Sequence, residues 1–130
     1  QAILGLVFRR FVERATAADV DRLEALEDEI DRAASIDEHM VRNDRFFDHV
    51  MAVAGNAEAA DALDRTWPLL YPAFRHFGPR DLGAISANHR AIIAAARRGD
   101  GDEAASIAQE AVEANRRYIV GRIRAEREAE

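Results

Sequence analysis

The chain contains no cysteine and no lysine. The first absence excludes a disulfide framework, a thiolate metal site and a cysteine nucleophile. The second leaves all 18 basic residues as Arg, scattered among 24 acids for a net charge of −6. Such a chain lacks the concentrated basic face needed to grip a phosphate backbone by itself. Charges interspersed in this way are the pattern of a solvated surface. No apolar run approaches the roughly 18 residues of a membrane span. The opening run Ile3-Leu4-Gly5-Leu6-Val7-Phe8 is followed by Arg9-Arg10, the wrong order for a secretory signal. No membrane contact is expected, and a cytoplasmic location is the default. Strand-type patterns are missing, and only three prolines occur.

What is present is helical. Ala, Leu, Glu and Arg dominate, and 130 residues suffice for one domain with a real core. The expected fold is all-α, an antiparallel bundle of about six helices joined by short connections. A first helix over about Gln1–Ala15 is apolar on more than one stripe, so it is either central or pressed on a partner chain. It starts without a cap, which suggests part of a longer protein. Thr16-Ala17-Ala18-Asp19 reads as a capping box for a second helix that buries Val20, Leu23, Leu26, Ile30 and Ala33, with acids and Arg outside. Ser35-Ile36-Asp37-Glu38 opens a third helix in the same way. Its apolar stripe runs Ile36, Met40, Asn43, Phe47, Val50, Ala54.

Asn56 caps a fourth helix with Leu63, Trp67, Leu70 and Phe74 inward. Pro68 and Pro72 lie inside that pattern, where each removes an N–H and clashes with the preceding turn, so a kink or break is expected there. Gly78-Pro79-Arg80-Asp81 is a loop. A fifth helix, about Leu82 to Arg98, carries Leu82, Ile85, His89, Ile92 and Ala96 on one face. Gly99-Asp100-Gly101-Asp102 caps a last helix with Ala104, Ala108, Ala111, Asn115, Tyr118 and Ile119 inward.

Three polar residues, Asn43, His89 and Asn115, thus occupy apolar stripes of three different helices. Burying an amide without a partner costs roughly 1–3 kcal/mol. Three such groups in one bundle point to a shared polar cavity, since ligand sites between bundle helices are built this way. Tyr71 and Arg75 could contribute from the fourth helix, Arg75 and His76 serving as a clamp for a carboxylate. Asp44 with Asp48, and Arg45 with His49, read as solvated faces. No Glu-x-x-His pair, His-Glu-x-x-His motif, Ser-His-Asp ordering or Gly-rich phosphate loop is present, so no catalytic residues are assigned.

Several segments, in order and spacing, carry a family likeness. Arg14-Ala15-Thr16 is followed by Asp19 and Leu23. Phe46 leads to Ala54-Gly55-Asn56. Asn88-His89-Arg90-Ala91-Ile92-Ile93-Ala94-Ala95 is followed by Gly99-Asp100 and Ala104-Ala105. Together they resemble the C-terminal effector-binding (FCD) domain of GntR-family transcription regulators, in the FadR subfamily. Many members of that family hold a divalent metal through one Asp and three His. By the resemblance, these positions fall on Asn43, Phe47, His89 and Ala111, so His89 is the only ligand retained. One imidazole and a neutral amide do not make a Zn-type site, which needs three or four N, O or S ligands.

The resemblance therefore implies the fold without the metal or any other cofactor. It implies a sensor domain spanning residues 1–130 that dimerises and binds a small metabolite, an organic acid or similar polar molecule. DNA would be read only by a winged helix-turn-helix lying N-terminal to this chain. The ligand would be lined by Asn43, Phe47, His89 and Asn115, with Tyr71 and Arg75 contributing. Two other readings compete. One is a small metal-dependent enzyme using His89 with His39, His49 or His76. The other is a helical interaction module whose polar core residues satisfy one another.

Overall fold

Local capping chemistry sets most of the helix boundaries in the computed structural model. It describes residues 2–78 and 81–130, except the side chains of Ala2, Leu63, Asp64, residues 66–71 and Phe74. Among the described residues six helices follow in order: α1 (Ala2–Arg14), α2 (Ala17–Asp31), α3 (Ile36–Ala54), α4 (Ala57–Phe77), α5 (Leu82–Arg97) and α6 (Gly101–Ala129). No strand occurs among the described residues, so the fold is the all-α bundle the sequence predicts. Thr16 and Asp19 form the reciprocal capping box of α2. The α3 start differs in detail: Ser35 Oγ accepts from the Glu38 N–H, but the Glu38 carboxylate accepts from Ala34 N–H instead of Ser35. Asn56 Oδ1 accepts from Ala59 N–H, and Asp81 and Asp100 cap α5 and α6.

The α3 stop is built from two residues. Gly55 takes φ 68°, the left-handed conformation in which a Cβ is costly. Arg14, reaching across from α1, donates from Nη1 to the Ala54 carbonyl at 3.0 Å. A side chain at position 55 would also collide with that guanidinium. The α3–α4 corner is thereby tied to the end of α1.

α1 is the central element. It lies against α6 and α3, while α2 packs on α3 and α5, and α5 on α6. Leu4, Val7, Phe8 and Phe11 of α1 are buried, leaving Ile3 and Leu6 as its exposed apolar residues. Phe8 meets Phe47 edge-on at 6.0 Å, and Phe47 meets Phe46 at 5.5 Å. Phe46 is fully buried although it lies off the predicted α3 stripe. On the outside, Arg90 of α5 bonds Asp28 and Asp31 of α2 at 2.9 and 2.6 Å, and Arg97 bonds Glu24 at 2.6 Å. Exposed pairs of this kind contribute little each, about 0–1 kcal/mol. They fix which faces of α2 and α5 meet.

The backbone of α4 is helical from Ala57 to Phe77, so the break entertained at Pro68 and Pro72 does not occur. The inward set Leu63, Trp67, Leu70 and Phe74 falls on side chains outside the described residues. So does the middle of the loop expected at Gly78-Pro79-Arg80-Asp81.

Candidate functional site

Side chains from α1, α3, α5 and α6 converge on one partly open cavity of about 110 Å³. Asn43 and Phe47 of α3, His89 of α5, and Ala111 and Asn115 of α6 all line it. Three helices thus bring together the four positions that the resemblance assigns to metal ligands. They also bring in the two misfit amides of the sequence pattern. Asn43 and Asn115 are half-buried in this wall, whereas His89 is only 6% exposed.

Two predicted site residues are not among the described lining residues. Tyr71 lies outside the described side chains. Arg75 is exposed and pairs with Asp37 at 3.5 Å, and it is not among the described lining residues. Its neighbour His76 is likewise exposed, 2.9 Å from Glu126. The carboxylate clamp expected of Arg75 and His76 is therefore engaged with surface acids. The reason is register: this last turn of α4 carries both side chains to the rim, within reach of Asp37 and of the far end of α6.

Two lining or supporting residues were missed, Glu27 and Asp44, and a third, His39, was named only in the competing enzyme reading. Glu27 was counted with the outward acids of α2, yet it is 0% exposed. Its Oε2 lies 2.6 Å from His89 Nδ1, and its Oε1 has no hydrogen-bond partner among the described residues. Burial pushes this carboxyl above its ordinary value of 4.5; the His89 contact offsets part of the rise, and Asp31 adds to it. The spacing Val20, Leu23, Glu27, Ile30 was the signal, since it keeps the helical period. His39 and Asp44 also line the cavity instead of facing solvent. Burial, and secondarily His89, hold His39 below the usual histidine value, and its buried Nδ1 lacks a partner among the described residues. Asp44 sits four residues after Met40 and three before Phe47, so the α3 stripe includes it.

The His89 ring is fixed on three sides. It stacks on Phe46 at 4.3 Å with 14° between planes, meets Phe47 edge-on at 5.9 Å, and is held at Nδ1 by Glu27. A second-sphere carboxylate of this kind sets which imidazole nitrogen remains for a ligand, here Nε2. Of the other candidate histidines, His39 shares this cavity, while His49 Nε2 lies 2.8 Å from the Asp19 carbonyl with its ring edge-on to Phe11.

The donor set does not fit a bound metal. Asn43, Phe47 and Ala111 supply one neutral amide oxygen, a hydrocarbon ring and a methyl group. No group of three or more His, Cys, Asp or Glu suited to a metal ion occurs among the described residues.

A helical bundle with a half-open cavity between facing helices is a ligand-binding architecture. The family model of the FCD domain matches residues 1–114, and the chain belongs to that family. The FCD domain is the ligand-sensing C-terminal domain of GntR-type regulators, a regulatory and not an enzymatic class. No curated protein and no solved structure matches the chain. No helix among the described residues is long and apolar enough to cross a membrane.

Proposed function

We propose that this domain is the effector sensor of a GntR-type transcription regulator of the FadR subfamily, binding a small metabolite directly in the cavity between α3, α5 and α6 without a metal. The observation that carries this reading is the convergence of Asn43, Phe47, His89 and Ala111 on one cavity. The geometry of a ligand site supports the reading, and of the four positions the family uses for a metal only His89 carries a ligating side chain of the family's kind. The organic acid expected from the sequence drew on Arg75, which is paired with Asp37 at the surface.

Signal transfer follows from the packing. The cavity wall includes Leu4 and Phe8 of α1, the helix at the N-terminal end of the domain. A ligand that contacts α1 differently in two bundle arrangements shifts their populations, and only through that difference in affinity. DNA-binding domains attached ahead of α1 would be moved by the shift. The exposed Ile3 and Leu6 are the apolar pair that α1 offers to a second copy in a homodimer.

Calorimetric screening of a metabolite library tests the pocket. Asn43→Leu and Asn115→Leu are each expected to weaken any hit about fivefold, since a lost hydrogen bond is worth about 1 kcal/mol. Equal binding by wild type and both variants would remove the ligand from this cavity.

A further inference from the structure

The last turn of α4 joins the two sides of the cavity mouth, which bears on how a ligand gets in; this rests on the cavity being the effector site. Exposure locates the mouth. His89 and Phe47 are buried at the inner end, Ile85 is half-buried, and Leu82 is 46% exposed. The open end therefore lies where the first turns of α3 and α5, at Ile36 and Leu82, face Asn115 of α6.

Four consecutive residues reach both sides of that opening. On the α3 side, Arg75 Nε lies 3.5 Å from Oδ1 of Asp37, the neighbour of Ile36. On the α6 side, Tyr118, three residues after Asn115, donates from its hydroxyl to the Phe77 carbonyl at 3.2 Å and lies 3.4 Å from that of Gly78. One turn further, the Arg122 guanidinium sits over the Phe77 ring at 5.6 Å. One turn beyond that, Glu126 Oε1 is 2.9 Å from His76 Nε2. Tyr118, Arg122 and Glu126 follow at steps of four, so one face of α6 makes all three ties.

These ties are of a kind that lets go. The side chains of Arg75, Asp37, His76 and Glu126 are each more than half exposed, so water replaces either partner at little cost. Gly78 ends the segment at φ 77°, and a Cβ there would meet nothing within 4 Å. A glycine in open space at the end of a helix absorbs a change of backbone angle easily, as hinges do. We infer that residues 75–78 are a strap across the mouth of the cavity, and that ligand enters and leaves when the strap releases Asp37 on one side and Tyr118, Arg122 and Glu126 on the other.

The absence of cysteine makes the strap testable on the full chain, because Ala111→Cys supplies a single thiol on the cavity wall. Its rate of reaction with N-ethylmaleimide, followed by mass spectrometry under folding conditions, reads access through the mouth without calling on the effector. Adding Arg75→Ala, His76→Ala and Tyr118→Phe cuts ties on both sides and is expected to raise the rate by about tenfold or more, the sum of small losses at each tie. Adding Arg90→Ala instead removes two exposed ion pairs between α5 and α2. That variant is expected to react at the rate of Ala111→Cys alone. An unchanged rate in the strap variant, or an equal rise with Arg90→Ala, would overturn the strap and leave the sensor cavity to the calorimetric test. A thiol at position 111 that reacts in the folded chain as fast as in the urea-unfolded chain would show no enclosed site there, and would overturn both.

Discussion

Replacing Glu27 by Ala is expected to lower the unfolding free energy by about 3–5 kcal/mol, the range seen when one member of a buried charged pair is deleted. Against a total stability of roughly 5–15 kcal/mol, that is a large fraction. The loss has two parts. His89 Nδ1 would be left buried without its 2.6 Å partner, and the vacated volume next to Leu23 and Ile30 would remain as a cavity. Urea denaturation measures the sum. Replacing both members together, Glu27→Leu with His89→Phe, is expected to recover most of it, because no polar atom is then stranded. A double variant as unstable as Glu27→Ala would show that the pair is not what holds α2 to α5 at this point.

The same residue carries a pH signature. Glu27 titrates above its ordinary value of 4.5 in the fold. Its contribution is therefore fully present below that value and is lost as the pH rises through the folded one. Glu27→Gln keeps the shape and an acceptor for Nδ1 but does not ionise. The stability of wild type relative to Glu27→Gln is expected to fall between pH 4 and pH 7. A constant difference across that range would mean that Glu27 ionises in the fold as easily as in water.

Rebuilding the missing ligands should convert the cavity into a metal site. The triple variant Asn43→Asp, Phe47→His, Ala111→His adds one carboxylate and two imidazoles around His89, on backbone positions that already face one cavity. Four N and O ligands satisfy a zinc ion. Glu27 would become the outer partner of a metal-bearing histidine, an arrangement that raises ligand basicity and fixes the ring. One zinc ion per chain is expected, with stabilisation of about 2.7 kcal/mol when free metal is at 100 times Kd. Chemical denaturation with and without zinc checks this. Absence of any zinc-dependent stabilisation would show that the four positions do not share a centre.

Much of this architecture was legible in the chain because it is locally determined. Thr16 with Asp19, Asn56 and Asp100 announce helix starts through their own side chains, and the structure uses each of them. Asn43, His89 and Asn115 stood out as polar residues on apolar stripes, and all three line the cavity. Glu27 stayed hidden although it obeys the same period, since an acid on a helix rich in acids is ordinarily solvated. Only the tertiary approach of His89 from α5 makes its burial tolerable. Asp44 was obscured similarly, by Asp48 one turn along, whereas His39 was named only as a partner of His89 in the enzyme reading. Arg75 differs in the opposite sense. Its chemistry suited a carboxylate, and a surface carboxylate, Asp37, is what it meets.

The most direct test of a metal-free sensor cavity is native mass spectrometry of the wild-type protein, purified without chelator and incubated with equimolar zinc. The mass of the polypeptide without zinc is expected, while the triple variant carries one zinc ion per chain under the same conditions. A wild-type protein that retains one zinc ion per chain, and loses it in His89→Phe, would contradict the account.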